Sequence, residues 1–405
     1  MAGDFIINMP FLYFCLSLAG ASIFSAGIAF YLIRNIIKRA SKWGILDLPG
    51  DRKRHTEPIP RLGGLSLVPA LWAGCSLTVL FLSNFPALII NSNTNSFFKA
   101  VLGLSIGVSG AFFLGALDDF FPVRVRHKLF AQLSLAFISI YFLPIPSEIF
   151  GVGINENIIK GLFIAWLVIV PNSVNLLDGI DGVTSVLMIG YLSAISLISY
   201  AVGELGWLLI TLPLISALFC FIKFNWDPAK IFLGDSGSLM LGFFVAFLSL
   251  YFASVPTTNN HYNFYPSISF LLVIIWLTDT FLAIGRRYVK MHPPFQRRSL
   301  KKWSTLIQRA ITNIVIADDH HIHHKFLKWG FSVPQTVAII ASFEVSVLLM
   351  AISLRIFNTN IRYEAPNAMA PILLLGGILV LVSAFAFSFY GKRLGSLQTM
   401  ARAII

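Results

Sequence analysis

Long apolar stretches recur along the whole of this 405-residue chain, and they leave it few ways to fold. Within hydrocarbon each backbone N–H and C=O must find a partner inside the protein, which a helix provides by itself. Eleven stretches are long enough to cross ~30 Å of hydrocarbon as helices. They cover roughly residues 11–33, 62–83, 98–116, 129–146, 158–174, 185–202, 205–223, 237–255, 266–285, 335–354 and 369–390. Apolar residues make up 57% of the chain and charged residues 12%, with a mean hydropathy of +0.79. Those values exclude a soluble globular domain. The expected fold is an all-α polytopic membrane protein of about 11 transmembrane helices. The first stretch has no basic n-region and no small-residue cleavage site, and it is too long for a signal peptide core. It is expected to remain as the first span.

Basic residues give the orientation. With the N-terminus outside and the C-terminus cytoplasmic, 26 of the 30 Lys and Arg fall in inner loops, as the positive-inside rule requires. The net charge of +12 is spread over these membrane-flanking loops, with no nucleic-acid-binding module, so nucleic acid is not an expected partner. The three cysteines, Cys15, Cys75 and Cys220, have no metal-ligand spacing and read as packing residues without a disulfide. The chain reads as one integral domain with two longer cytoplasmic loops. Residues 34–61 mix basic residues with Pro49, Pro58 and Pro60, which favour turns. Residues 286–334 carry Leu300, Trp303, Ile307, Ile311 and Ile314 at helical spacing beside five basic residues, the pattern of an amphipathic helix on membrane lipids.

Three aspartate-bearing stretches interrupt the apolar background, and the charge count places all three at the cytoplasmic face. Carboxylates are costly near hydrocarbon unless they meet water, a partner or a cation, so five of them in three loops point to a shared site. In KIFLGDSGS, glycines flank Asp235, an arrangement suited to a tight turn where backbone N–H groups and a metal meet a phosphate. Capping of the next helix by Asp235 is the plain alternative. In NSVNLLDGIDG, Asn172, Asn175 and Asp178 fall at i, i+3 and i+6, near one helix face, and Asp181 adds a second carboxylate. Oxygen donors of this kind suit Mg²⁺, while helix termination at Gly179 and Gly182 is the alternative. In LGALDDFF, Asp118 and Asp119 point about 100° apart on a helix. A close acidic neighbour tends to raise one pKa toward that of a base. Lys128, four residues before Gln132, is placed to bind a phosphate as a point charge or to snorkel. ADDHHIHHKF gathers four histidines, which can donate to phosphate oxygens or, as a rival reading, bind zinc.

Taken together in order, DLPGDRKRHTEPIPRLGG, LDDFF, RHKLFAQ, NSVNLLDGIDG, FLGDSGS and HIHH resemble the polyprenyl-phosphate N-acetylhexosamine-1-phosphate transferases. The resemblance covers most of the chain. It implies an eleven-span, N-out fold in the bacterial inner membrane with a cytoplasmic site. It also implies transfer of a sugar 1-phosphate, GlcNAc-1-phosphate by the HIHH form, from a UDP-sugar to undecaprenyl phosphate, releasing UMP. The cofactor implied is Mg²⁺, with Mn²⁺ as a substitute, and a homodimer is compatible with it. By motif position Asp235 is a Mg²⁺ ligand, with Asn175 or Asp181 as the second. Asn172, Asp178, Phe232 and Arg61 belong to substrate binding, Phe232 stacking on uracil. Lys128 holds diphosphate oxygens, and His321, His323 and His324 line the phosphate side. Asp118 and Asp119 face the lipid phosphate, Asp118 as candidate base. Two departures stand out: Asp319 occupies a position where the family commonly has arginine, and the stretch from Pro294 to Ala317 is an insertion. Competing readings are a phospho-MurNAc-pentapeptide transferase, a transporter whose membrane acids are Asp279 and Glu344, and an inactive scaffold.

Overall fold

A computed structural model describes residues 2–50, 55–82, 94–149, 152–254, 270–291 and 321–360. Among them are eleven α-helices: α1 Ala2–Trp43, α2 Gly64–Leu82, α3 Thr94–Phe120, α4 Val125–Ile140, α5 Glu156–Leu177, α6 Val183–Val202, α7 Leu208–Asn225, α8 Gly234–Ser254, α9 Ile274–Met291, α10 Ile322–Lys328 and α11 Val333–Asn360. Two short antiparallel pairs, β1 (Leu46–Asp47) with β2 (Ile59–Pro60) and β3 (Glu148–Ile149) with β4 (Val152–Gly153), and a 3-10 turn at Leu205–Trp207 accompany them. Among the described residues seven helices are long and apolar enough to cross a membrane, and Ile274–Gly285 and Val333–Ser346 are shorter apolar segments. The protein is a multi-pass helical membrane protein.

One expected span changes length. The stretch 129–146 folds as α4, Val125–Ile140, about 24 Å at 1.5 Å per residue. Pro144 and Pro146 explain the early end, because a residue preceding proline is pushed out of the helical region. The expected span 369–390, the amphipathic segment 294–317 and Asp319 lie outside the described residues, as does the start of 266–285. Cys15, expected to pack, is exposed on α1, while Cys75 and Cys220 are half-buried, and all three are free thiols.

The central element is α8, which is buried along almost its whole length and packs against α2, α3, α5 and α6. Lipid tails give apolar side chains no reason to prefer another helix, so small residues and polar contacts must hold the bundle. Both are present. Gly242 of α8 lies against Pro171 of α5, where an added Cβ would come 2.5 Å from the proline Cα. Trp166 Nε1 donates to Ser249 Oγ at 2.9 Å, and the Tyr191 hydroxyl donates to the Val245 carbonyl at 3.0 Å. In the outer layer, Ser25 of α1 reaches the carbonyls of Ala70 on α2 and Pro213 on α7, each at 2.9 Å.

One end of the bundle gathers the C-termini of α3, α5 and α7 with the N-termini of α2, α4, α6 and α8. The approach there is closest around the first turn of α8. A Cβ on Gly64 of α2 would lie 2.5 Å from the Ser236 carbonyl carbon, and one on Gly115 of α3 would lie 2.5 Å from the Ser236 nitrogen. These neighbours are backbone and cannot swing aside. Gly64→Ala is therefore expected to lower stability in detergent by about 1–3 kcal/mol, the range for overpacking. Gly27→Ala in α1 meets no atom within 4 Å and is expected to leave the melting temperature unchanged or slightly raised. Equal melting temperatures for the two variants would contradict this packing.

Candidate active site

The turn that begins α8 is held from outside itself. Gly234 adopts φ +73°, a left-handed conformation that favours glycine. The N–H groups of Asp235 and Ser236 donate to the two carboxylate oxygens of Asp119, at 2.8 and 2.9 Å. Asp119 thus caps α8 from the end of α3. This corrects the expectation that Asp119 faces the lipid phosphate, since both of its oxygens are committed to the backbone. It also removes the alternative in which Asp235 caps its own helix.

The Asp235 side chain turns instead to a chain of polar groups. Its Oδ1 accepts from Asn175 Nδ2 at 3.1 Å, and its Oδ2 contacts the Lys128 ammonium. Lys128 Nζ also donates to Asp118 Oδ2 at 2.9 Å, while Asp118 Oδ1 accepts from the Val123 N–H at 2.7 Å. Asp118, Lys128, Asp235 and Asn175 therefore form one connected network drawn from four helices. Ser238, one turn on, accepts from Asn175 at 2.7 Å.

Asn172 does not join them. Its amide donates to Gln132 Oε1 at 2.8 Å and to the Val168 carbonyl at 2.7 Å, and Gln132 donates back at 3.3 Å. The expectation of Asn172 as a substrate contact gives way to a tie between α4 and α5. A three-residue step on a helix leaves a 60° offset, enough to send Asn172 to α4 and Asn175 to α8.

Beside the network opens a cavity of about 740 Å³, lined by Arg61, Asn175, Asp178, Asp181, Phe232, Asp235 and His324 among others. Main-chain hydrogen bonds pin part of its wall. The Phe232 N–H donates to the Pro60 carbonyl at 2.8 Å, and the Gly63 and Gly64 N–H groups donate to the Phe232 and Leu233 carbonyls at 2.9 Å. Asp181 Oδ2 accepts from the Ala229 N–H at 3.0 Å, which gives this expected metal ligand a loop-holding role at the cavity wall. Asn225 spans the same corner, accepting from the Gly182 N–H at 3.1 Å and donating to the Ile231 carbonyl at 2.9 Å. Burial raises the Asp178 carboxyl to a pKa of about 7, with the charge of Asp235 adding to the shift.

Several wall residues escape the sequence reading. Asp47 accepts from His55 Nε2 at 2.9 Å and lies 3.6 Å from Arg61, and the His55 ring meets Phe232 edge-on at 5.4 Å. The stretch DLPGDRKRHTEPIPRLGG contains them, but nothing in its spacing predicts the pairing. Asp279 is the other omission. Read as a membrane acid of a transporter, it instead bonds His321 Nδ1 at 2.6 Å and the Ile322 N–H at 2.8 Å. Of the histidines, His324 lines the cavity. His323 is buried over Gly179, and burial lowers its imidazole to about 3, with His324 adding to the effect.

Among the described residues no three His, Cys, Asp or Glu side chains converge as a metal cage. A hard divalent cation such as Mg²⁺ still fits the donors, because it commonly takes one or two carboxylates and completes its octahedron with water and substrate phosphate. Asp235 is the carboxylate donor placed for it, and Asn175, whose amide nitrogen faces Asp235, could add its oxygen by turning the amide over. The ammonium of Lys128 already balances Asp235 from the opposite partner, Asp118.

Residues 101–253 match glycosyl transferase family 4. A probable undecaprenyl-phosphate N-acetylglucosaminyl 1-phosphate transferase of Bacillus subtilis (strain 168) is 28% identical over 316 residues, covering 76% of this chain and 77% of that protein. A decaprenyl-phosphate N-acetylglucosaminephosphotransferase of Mycobacterium tuberculosis (strain H37Rv) is 27% identical over 394 residues, covering 90% of this chain and 88% of that protein. The central segment of the chain is therefore similar to that family. A third relative, a phospho-N-acetylmuramoyl-pentapeptide-transferase of Streptococcus pneumoniae (strain Hungary19A-6), is 34% identical over 217 residues, covering 49% of this chain and 62% of that protein. The segment matched to the family holds Asp118, Asp119, Lys128, Asn172, Asn175, Asp178, Asp181, Phe232 and Asp235, while Arg61 and the histidine motif lie outside it.

Because Asp119 serves the α8 backbone, Asp119→Ala is expected to cost about 1–2 kcal/mol of stability, the value of a lost helix cap. Asp118→Asn, which leaves that cap intact, is expected to cost less. Thermal unfolding of the two variants in detergent checks this, and a smaller loss for Asp119→Ala would contradict the capping role.

Proposed function

We propose that this protein transfers GlcNAc-1-phosphate from UDP-GlcNAc to undecaprenyl phosphate, giving undecaprenyl-diphosphate-GlcNAc and UMP at the start of a cell-envelope glycopolymer. The observation that carries this reading is the joining of Asp118, Lys128, Asp235 and Asn175 into one network at the edge of the cavity that Phe232 lines. The names of the two N-acetylglucosaminyl relatives support transfer of an N-acetylglucosamine phosphate to a polyprenyl phosphate, undecaprenyl in one and decaprenyl in the other. The reading includes eleven spans with the N-terminus outside, in the bacterial inner membrane. With it goes a cytoplasmic site, favoured by the basic residues of the loops on that side.

In this reading the lipid phosphate oxygen attacks the phosphorus that bears the sugar. The bond from that phosphorus to the UMP oxygen breaks, and its electron pair leaves on UMP. Such a transfer depends on positioning and charge neutralisation. Lys128 meets the diphosphate as a point charge, oriented by Asp118 and Asp235. Phe232 offers its ring to uracil, with Arg61 nearby. Asp178, whose carboxyl burial raises to a pKa of about 7, is partly protonated near neutral pH and in that form can donate to a nucleotide oxygen. Asp118 accepts from Lys128 and the Val123 backbone, so its place is that of an anion steering the lysine. The attacking phosphate monoester needs little help from a base, its second pKa being ~6. Mg²⁺ held by Asp235 and Asn175 would supply charge stabilisation to the diphosphate.

Transfer of phospho-MurNAc-pentapeptide is the second reading, favoured by the 34% identity to the Streptococcus pneumoniae relative. Purified protein given undecaprenyl phosphate, Mg²⁺ and a panel of UDP-sugars is expected to release UMP with UDP-GlcNAc. Asp235→Ala is expected to abolish release. Release with UDP-MurNAc-pentapeptide alone would select the second reading, release with neither would reject both, and full turnover by Asp235→Ala would reject the assigned site.

A further inference from the structure

Asp279 lies within the apolar run IIWLTDTFLAIG of α9 and is completely buried. A carboxylate in such a place is costly unless each oxygen is engaged. Both are, and both partners belong to the histidine motif. Oδ2 meets His321 Nδ1 at 2.6 Å, and Oδ1 accepts the Ile322 N–H at 2.8 Å. Ile322 is the first residue of α10, whose own N-cap, His321, makes no side-chain cap. One carboxylate therefore fixes the imidazole and starts the helix that carries His323 and His324. The His321 and His323 rings lie parallel at 5.8 Å, and those of His323 and His324 are 4.3 Å apart. The register set at Ile322 is thus passed to His324 at the cavity wall.

We propose that Asp279 is a positioning residue for the transfer reaction, holding His321 by Nδ1 so that Nε2 is the nitrogen through which it acts, and setting α10 so that His324 meets the cavity. A carboxylate accepting from Nδ1–H selects the tautomer in which Nε2 holds the lone pair, free to accept or relay a proton at a phosphate. A carboxamide at 279 cannot accept through both of its heavy atoms. This inference rests on the transferase reading above. The same contacts are also compatible with a purely structural pair that satisfies a buried acid, and the test separates the two.

The contact is read without activity. In ¹⁵N-histidine-labelled protein in lipid, the wild type is expected to show a strongly downfield imidazole N–H resonance that is lost in both Asp279→Asn and His321→Ala. Absence of that resonance in the wild type, or its survival in His321→Ala, would overturn the proposal whatever the enzyme does. For turnover, Asp279→Asn is expected to lower kcat about tenfold or more, as loss of a carboxylate behind a working histidine does, with KM for the UDP-sugar near the wild-type value. In a His321→Ala background the same change is expected to cost little further activity, the mark of coupled residues. Independent, multiplying losses would overturn the proposal in favour of the structural pair. Asp279→Glu, which keeps the charge, is expected to restore part of kcat. If Asp279→Asn does not accumulate, Asp279→Glu and the wild-type resonance carry the decision. A wild type that shows the resonance but releases UMP from no UDP-sugar would overturn the transferase reading while leaving the contact standing.

Discussion

The first turn of α8 is the constraint on which the rest of the site depends. Glycines at 64, 115 and 234 let the segments around residues 61–64 and 115–119 reach its backbone, and Asp119 closes it by accepting two of the N–H groups that a helix start leaves unpaired. The negative carboxylate also complements the positive end of the helix dipole. The next acid along, Asp235, is consequently released from capping its own helix. It turns toward Lys128 and Asn175, and so toward the cavity. Two adjacent carboxylates on α3 divide the work in the same manner: Asp119 builds the turn, and Asp118 steers the lysine that faces it.

Charge in this region is arranged in short, nearly closed circuits. Lys128 stands between Asp118 and Asp235, Arg61 and His55 both approach Asp47, and His321 is held by Asp279. Lys128–Asp235 and His321–Asp279 join elements far apart in the chain, and low-dielectric surroundings strengthen such contacts while penalising any unpaired member. This explains how so many ionisable groups coexist at one end of an apolar bundle.

The spans were legible because hydrocarbon demands long apolar helices, and seven of the expected ranges correspond to helices able to cross a membrane. The error in 129–146 came from counting hydropathy across Pro144 and Pro146, where backbone geometry rather than polarity decides. Asp118, Lys128, Asn175 and Asp235 stood out as polar groups in an apolar sequence, and the structure brings them together. Asn172 and Asp119 looked identical to them at that level. What separates these residues is the direction each side chain takes from its helix and which backbone group it happens to meet. Asp279 was visible as an acid in a span, but its partner lies 42 positions further on, and no local period connects an acid on one helix with a histidine before another.

The clamp between residues 60–64 and 232–233 has a different kind of consequence. Its three hydrogen bonds join main chain to main chain, so the wall they hold does not depend on which side chains Pro60, Phe232 or Leu233 contribute. A lineage can therefore exchange those side chains, and with them the preference of the cavity, without dismantling its frame. The scaffold and the specificity of this protein are free to evolve at separate rates.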